Sequence, residues 1–158
     1  EKMANYSVVD VGCGDIEFVR KEAFGEYMGI DLSEQAITKA KKKRPDWSFR
    51  VGRIESLQDE SFDFILCMDV LIHQPNRAAA KALVDDMFRV ARKGIVLSIH
   101  TDPQTNSNIS FNTFALRNYM LGNLAICTIV SLGTFRDTEI LAVSKIDNIF
   151  EDIGTRLS

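Results

Sequence analysis

Short runs rich in β-branched and aromatic residues alternate with segments that carry helical signals along most of this chain. The predicted strands lie at residues 6–11, 27–31, 47–51, 62–68 and, after a break at Gly94, 95–99. The predicted helices lie at residues 16–23, 34–43, 77–92 and 111–121, and the second of them has Ser33 as its N-cap and Pro45 as its stop. Strands that alternate with helices predict a mostly parallel sheet covered by helices on both faces.

The last two β-branched runs, residues 125–132 and 139–143, are separated by only six residues, 133–138. A parallel crossover needs a dozen or more residues, so we expect this pair to be antiparallel. The sequence therefore predicts an α/β fold with a doubly wound, Rossmann-like and mostly parallel seven-stranded sheet that ends in an antiparallel hairpin. The length suits one domain over residues 1–158, and the abrupt start just before the first strand suggests that an N-terminal segment is missing.

Composition excludes several function classes. The chain has 19 Lys and Arg against 22 Asp and Glu, a net charge of 19 − 22 = −3, which is not the footprint of a protein that binds nucleic acid. No apolar run approaches the ~20 residues of a membrane span, so we expect no membrane partner. The three cysteines form no Cys-x-x-Cys pair, which favours reduced thiols in a cytoplasmic protein and no metal site. We interpret the basic run 39–44 as a solvated helix end.

The strongest motif follows the first strand, where Gly12-Cys13-Gly14 forms a turn that we call the glycine bend. Glycines without Cβ atoms let the backbone approach a ligand closely at the carboxyl edge of the sheet. Asp31 ends the next strand, 17 positions after Gly14. An acidic side chain there accepts hydrogen bonds from both hydroxyls of a ribose. Together the two features predict a nucleoside site.

Three stretches, VDVGCGD at 9–15, GIDLS at 29–33 and FDFILCMDVLIH at 62–73, resemble the class I S-adenosylmethionine-dependent methyltransferases. The likeness spans most of the chain, and it includes the terminal hairpin. Within that family, residues 69–75 and 135–138 most resemble bacterial domains that methylate oxygen atoms of small molecules or glycans. The family often has a glycine where Ile16 stands and an acid where Arg53 stands.

The resemblance implies S-adenosylmethionine as the cofactor and assigns residues to its parts. Asp10 and the backbone of Gly12, Cys13 and Gly14 would hold the methionine part. Asp31 would bind the ribose, and Leu32 would pack on the adenine. The residues that would edge the adenine or line the cofactor are Arg53, Ile54, Glu55, Cys67, Met68 and Asp69.

Transfer of the methyl group to a hydroxyl oxygen calls for an oriented acceptor and a nearby base. The chain's two histidines, His73 and His100, both follow strands at the predicted active edge, and we expect His73 to be the catalytic base, with His100 second. The polar segment 101–108 suits a small polar or glycan-like acceptor, which Phe111 and Phe114 would help to enclose.

Two alternatives stay open at this point. The first is a module of the same fold that binds S-adenosylmethionine, or serves as a scaffold, without turnover. The second is a nicotinamide-dependent dehydrogenase, whose fingerprint needs a third glycine where this chain has Glu17.

Overall fold

The computed structural model describes residues 2–101, 112–126 and 128–147. Within these ranges the strands are β1 (Ser7–Val11), β2 (Glu26–Asp31), β3 (Ser48–Val51), β4 (Phe62–Cys67), β5 (Ala91–His100), β6 (Thr128–Phe135) and β7 (Thr138–Ser144). The α-helices are α1 (Glu34–Lys43), α2 (Arg77–Val90) and α3 (Thr113–Asn123). Short 3₁₀ helices occupy Lys2–Asn5, Ile54–Ser56 and Leu71–His73.

The seven described strands form one sheet in the order β3-β2-β1-β4-β5-β7-β6. Strands β1 to β5 are parallel to one another, whereas β7 runs antiparallel to both β5 and β6. The predicted fold class, with its terminal antiparallel hairpin, is confirmed. The order reverses at β1, so the carboxyl ends of β1, β2 and β4 form the crevice in which this type of sheet binds ligands.

Helices cover both faces of the sheet, as the alternation predicted. Helices α2 and α3 pack on one face, where Val84, Met87, Leu116 and Met120 join the main core with Val9 and other strand residues. Helix α1 lies on the opposite face, where Ile37 and Ala40 pack against Tyr27 and Ile16. Ser33 caps α1, because its hydroxyl accepts a hydrogen bond from the amide of Ala36.

Two strand boundaries differ from the sequence-based prediction. Strand β5 begins at Ala91 directly after α2, and Gly94 lies inside it rather than breaking the chain. Gly94 is buried and pairs with Phe64 on one side and Ser144 on the other, so neighbours on both sides hold its backbone extended. The β6–β7 connection shortens to the two residues Arg136 and Asp137, because both strands extend toward each other.

The predicted helix at 16–23 is wrong, because this segment consists of successive turns. Ile16 has a left-handed φ of +59°, which interrupts helical geometry at its first residue. The carbonyl of Ile16 accepts hydrogen bonds from the amides of Val19 and Arg20, and the pattern does not propagate into a regular helix. A β-branched residue is costly in this conformation, and the burial of the Ile16 side chain against α1 offsets that cost.

Basic residues at the end of α1 hold this turn segment in place. Lys43 contacts the carboxylates of Asp15 and Glu17 at 2.7 and 2.8 Å. Arg44 donates to the carbonyls of Arg20 and Glu22, and its guanidinium lies 3.6 Å from the centre of the Trp47 ring. The last two residues of the basic run 39–44 therefore serve an intramolecular role, which is more specific than the solvated helix end we expected.

In the part of the chain that the structure describes, no helix is long and apolar enough to cross a bilayer.

Gly29 in β2 tests how tightly the bend packs on the sheet. A Cβ atom at this position would lie 2.7 Å from Sγ of Cys13 and 2.8 Å from the ring of Phe49. We therefore expect Gly29→Ala to lower the free energy of unfolding by about 1–3 kcal/mol in urea titrations.

The matched control is Gly122→Ala in α3, where a Cβ atom meets nothing within 4 Å. This change should be neutral or stabilise the protein by up to about 1 kcal/mol. Equal effects of the two substitutions would contradict close packing between the bend and β2.

Candidate functional site

The glycine bend and Asp31 lie together at the carboxyl edge of the sheet. The amide of Gly14 donates a hydrogen bond to Oδ2 of Asp31 at 2.9 Å, and the amide of Ser33 donates to Oδ1 at 2.8 Å. The amides of Gly12 and Cys13 donate to the carbonyl of Ile30. These bonds join the end of β1 to the end of β2, so the Asp31 carboxylate faces the bend.

Gly12 allows a close approach that any side chain would block. Its φ is +69°, and a Cβ atom would lie 2.4 Å from Cγ2 of Val70, in the segment that follows β4. Gly14 also has a positive φ, +55°, but there a Cβ atom would meet nothing within 4 Å. Gly12 is therefore required by both conformation and space, whereas Gly14 is required by conformation alone.

A cavity of about 570 Å³ opens at this edge. Such a volume lies in the usual range for small-molecule sites. Among the residues proposed from the sequence, the following line the cavity: Gly12, Asp31, Leu32, Arg53, Ile54, Glu55, Met68, Asp69 and His73.

The other proposed residues do not line the cavity. Cys13 and Gly14 belong to the bend itself, and Cys67 is fully buried in the main core. Asp10 is buried beneath the bend. His100 lies at the end of β5, where its Nδ1 is 3.6 Å from a carboxylate oxygen of Asp137 in the β6–β7 turn.

Sequence reasoning missed one wall of the cavity. Ala79, Ala82 and Leu83 of α2 line it, together with Val70 and Gln74. Residues 79, 82 and 83 share one helix face, and this periodicity was visible in the sequence, but nothing in it showed that the face meets the cavity. Phe114 is 72% exposed on α3 and does not line the cavity. Phe111 and residues 102–108, which were expected to shape the acceptor pocket, lie outside the described residues.

Asp10 occupies a buried position below the bend. Its side chain is 6% exposed, and its Oδ2 accepts a hydrogen bond of 2.7 Å from the hydroxyl of Tyr27. Burial raises the pKa of the Asp10 carboxyl to about 7, against the hydrogen bond from Tyr27, and the charge of Asp31 adds to the increase. Asp10 is therefore partly protonated at neutral pH.

The two described cysteines are buried thiols. Burial, with the nearby charges of Asp10 and Asp31, raises the pKa of Cys13 to about 12. Burial also raises the pKa of the Cys67 thiol. Thiols in this state are poor nucleophiles, which favours a packing role for Cys67. Among the described residues, no cluster of three or more His, Cys, Asp or Glu could hold a metal ion.

Asp10→Asn should stabilise the protein, and the gain should depend on pH. Between about pH 4 and 7 the unfolded chain releases the Asp10 proton while the folded chain retains it, so ionisation favours unfolding increasingly. We expect little gain at pH 4 and a gain of up to about 4 kcal/mol above pH 7, measured as the free energy of unfolding across pH.

Asp63→Asn is the opposite control. Although burial opposes it, hydrogen bonds from Ser7 and Arg92 hold the pKa of Asp63 below its usual value. Its ionised form therefore stabilises the fold above the unfolded pKa, and that stability is lost as pH falls. The substitution should destabilise the protein most at neutral pH, and the same pH trend in both variants would contradict these assignments.

Comparisons with known proteins agree with this architecture. The sequence matches the family described as methyltransferase domain over residues 2–150. It is 32% identical over 97 residues to a ubiquinone biosynthesis O-methyltransferase of Hydrogenovibrio crunogenus, covering 52% of this chain and 40% of that protein. It is 30% identical over 105 residues to the chloroplastic magnesium protoporphyrin IX methyltransferase of Arabidopsis thaliana, covering 61% of this chain and 33% of that protein. The chain thus spans well under half the length of either relative.

Solved structures share the fold at lower identity. The magnesium protoporphyrin IX methyltransferase of Synechocystis PCC 6803 with bound SAH superposes with a TM-score of 0.73 at 19% identity, covering 91% of this chain and 76% of that one. An N-methyltransferase of Bradyrhizobium japonicum in complex with S-adenosyl-L-homocysteine superposes with a TM-score of 0.72 at 18% identity, covering 88% of this chain and 78% of that one. Sheet order, terminal hairpin and family match agree: the chain belongs to the methyltransferase-domain family and has the fold of the class I S-adenosylmethionine-dependent methyltransferases.

Proposed function

We propose that this protein transfers the methyl group of S-adenosylmethionine to a hydroxyl oxygen of a small polar acceptor, with glycan-like acceptors as the first class to test. The observation that carries the proposal is that one cavity joins the glycine bend and Asp31 to His73. The proposed nucleoside site and a group able to take up a proton therefore line the same cavity.

The charge of the cavity suits this cofactor. Three carboxylates, Asp31, Glu55 and Asp69, line it, against one guanidinium, Arg53. S-adenosylmethionine supplies an electrophilic methyl group on a positively charged sulfur, and an acidic cavity attracts such a cation. Leu32, 62% exposed at the cavity, offers an apolar surface to the adenine.

Asp31 is placed to hold the ribose. Each of its carboxylate oxygens already accepts one backbone amide, from Gly14 or Ser33, and retains capacity for another donor. The two amides fix the orientation of the carboxylate before the ligand arrives. Ribose hydroxyls would therefore meet a preorganised acceptor.

His73 is our candidate for the base. It ends the 3₁₀ helix Leu71–His73 and is exposed at the cavity wall, and its amide bonds to the carbonyl of Val70. S-adenosylmethionine would supply the methyl group and its sulfur would keep the bonding electron pair, while His73 would take the proton of the acceptor hydroxyl as the hydroxyl oxygen bonds to the methyl carbon. A protonated hydroxyl is a weak nucleophile, so this proton transfer would lower the barrier.

The name of one relative supports oxygen as the acceptor atom, and the names of the others leave both the atom and the substrate open. The H. crunogenus relative is an O-methyltransferase in ubiquinone biosynthesis, and the A. thaliana relative acts on magnesium protoporphyrin IX. The B. japonicum structure is an N-methyltransferase. Sugars, phenols, carboxylates and amines therefore all belong in the acceptor panel, with the methylated atom located by NMR of the product.

His73→Ala should reduce kcat on the best acceptor by roughly 10²–10⁴ and leave the affinity for S-adenosylmethionine nearly unchanged. The reciprocal variant is His100→Ala, because His100 does not line the cavity. If the loss follows His100 instead, the base is misassigned. Cofactor binding without turnover on any acceptor would favour a non-catalytic module.

Asp31→Ala should weaken binding of S-adenosylmethionine by a few kcal/mol at most, because each hydrogen bond to a charged acceptor is worth roughly 1.5–3 kcal/mol. Calorimetry measures the effect. Glu55→Ala is the comparison, since it removes another cavity carboxylate without removing a hydrogen bond to the bend, and its effect should therefore be smaller. Equal affinity losses in the two variants would argue against a ribose contact by Asp31.

A further inference from the structure

Ser98 is a polar side chain at a buried position of the sheet, and the mechanism above does not use it. It lies in β5 among apolar neighbours and is 1% exposed. Its hydroxyl accepts a hydrogen bond of 2.7 Å from the amide of Asp69 and donates one of 3.1 Å to Oδ1 of the same residue. Both hydrogen-bonding functions of Ser98 are thus directed to Asp69.

Asp69 has an unusual backbone at a cavity-lining position. Its φ is +57°, in the left-handed region that aspartate tolerates better than most residues but still avoids. Such a conformation persists where the surroundings enforce it, and it is concentrated at functional sites. The two hydrogen bonds between Ser98 and Asp69 hold this conformation, one through the Asp69 amide and one through the Asp69 side chain.

The backbone conformation of Asp69 also determines the position of the next residue, Val70. Val70 packs onto Gly12 so closely that a Cβ atom added to Gly12 would lie 2.4 Å from Cγ2 of Val70. Ser98, Asp69, Val70 and Gly12 therefore form a continuous series of contacts from β5 across the end of β4 to the glycine bend. Asp31 on β2 and Asp69 after β4 flank the bend from opposite sides, because β1 lies between these two strands.

We propose that Ser98 is a positioning residue that fixes the Asp69 carboxylate at the cavity, so that its charge strengthens binding of the positively charged methyl donor relative to binding of the neutral demethylated product. The inference rests on the proposed placement of the cofactor in this cavity. S-adenosylmethionine carries a sulfonium charge that S-adenosylhomocysteine lacks. A fixed carboxylate attracts the former more strongly, whereas a purely structural serine would affect both ligands equally.

The test is calorimetry of both ligands with the purified protein and its variants. The quantity of interest is the ratio of the Kd for S-adenosylhomocysteine to the Kd for S-adenosylmethionine. Asp69→Asn, which removes the charge, should lower this ratio by roughly five- to tenfold. Ser98→Ala should lower it by about threefold or more, and the double variant should show no more than the Asp69→Asn effect, because Ser98 acts through Asp69.

Ser144→Ala is the matched control, a strand serine that is also 1% exposed but lies in β7, where its hydroxyl accepts from the amide of Ile146. It should leave the ratio unchanged. If Ser98→Ala does not fold, Ser98→Cys replaces it, with a reduced ratio still expected because a thiol is a weaker hydrogen-bonding group.

Three results would overturn the inference. The Kd ratio could be unchanged in Asp69→Asn, or it could be unchanged in the Ser98 variant. Alternatively, the Ser98 substitution could lower the ratio as much in the Asp69→Asn protein as in the unmodified protein. In each of these cases the unmodified protein still binds both ligands, so the proposed cofactor site is not contradicted. An unmodified protein that binds neither ligand overturns the proposed cofactor site and this inference together.

Discussion

The hydrogen bond from the Gly14 amide to the Asp31 carboxylate joins two strand ends that the sequence separates by 17 positions. This bond requires a left-handed backbone at Gly14 and an Asp31 carboxylate that faces the bend. The structure has both features. With Ser33 on the second oxygen, the carboxylate is fixed by backbone atoms rather than by mobile side chains. The cavity is arranged around this fixed charge, with the β3 loop on one side and the segment after β4 on the other.

The connection between β1 and β2 shows how the fold compensates for a missing helix. A parallel crossover usually carries a helix, and here it consists of turns that begin at a left-handed Ile16. Lys43 and Arg44 at the end of α1 bind the carboxylates and carbonyls of the segment, and Tyr27 stacks on Trp47 at 4.1 Å beneath it. Contacts from another element thus replace the internal hydrogen bonds of a helix.

Much of this architecture was predictable from local patterns. Alternating strands and helices predicted the sheet, and a short connection predicted the antiparallel hairpin. The glycine bend and Asp31 predicted the edge of the sheet at which the cavity opens. A helix was predicted at residues 16–23 because their composition permits one. The left-handed backbone of Ile16 depends instead on the packing of its side chain against α1, which local sequence does not show. The pairing of Ser98 with Asp69 was beyond sequence reasoning, because it depends on the register of β5 with β4 and on a backbone conformation that no residue type reveals.

The burial of Cys13 has a consequence for how the bend behaves in different chemical surroundings. The Cys13 thiol belongs to the bend but packs against Gly29 of β2, and burial together with the nearby charges of Asp10 and Asp31 keeps it protonated at physiological pH. Oxidants and alkylating reagents react with thiolates, so they would find almost none at this position. The bend should therefore react slowly with oxidants, although it contains a cysteine.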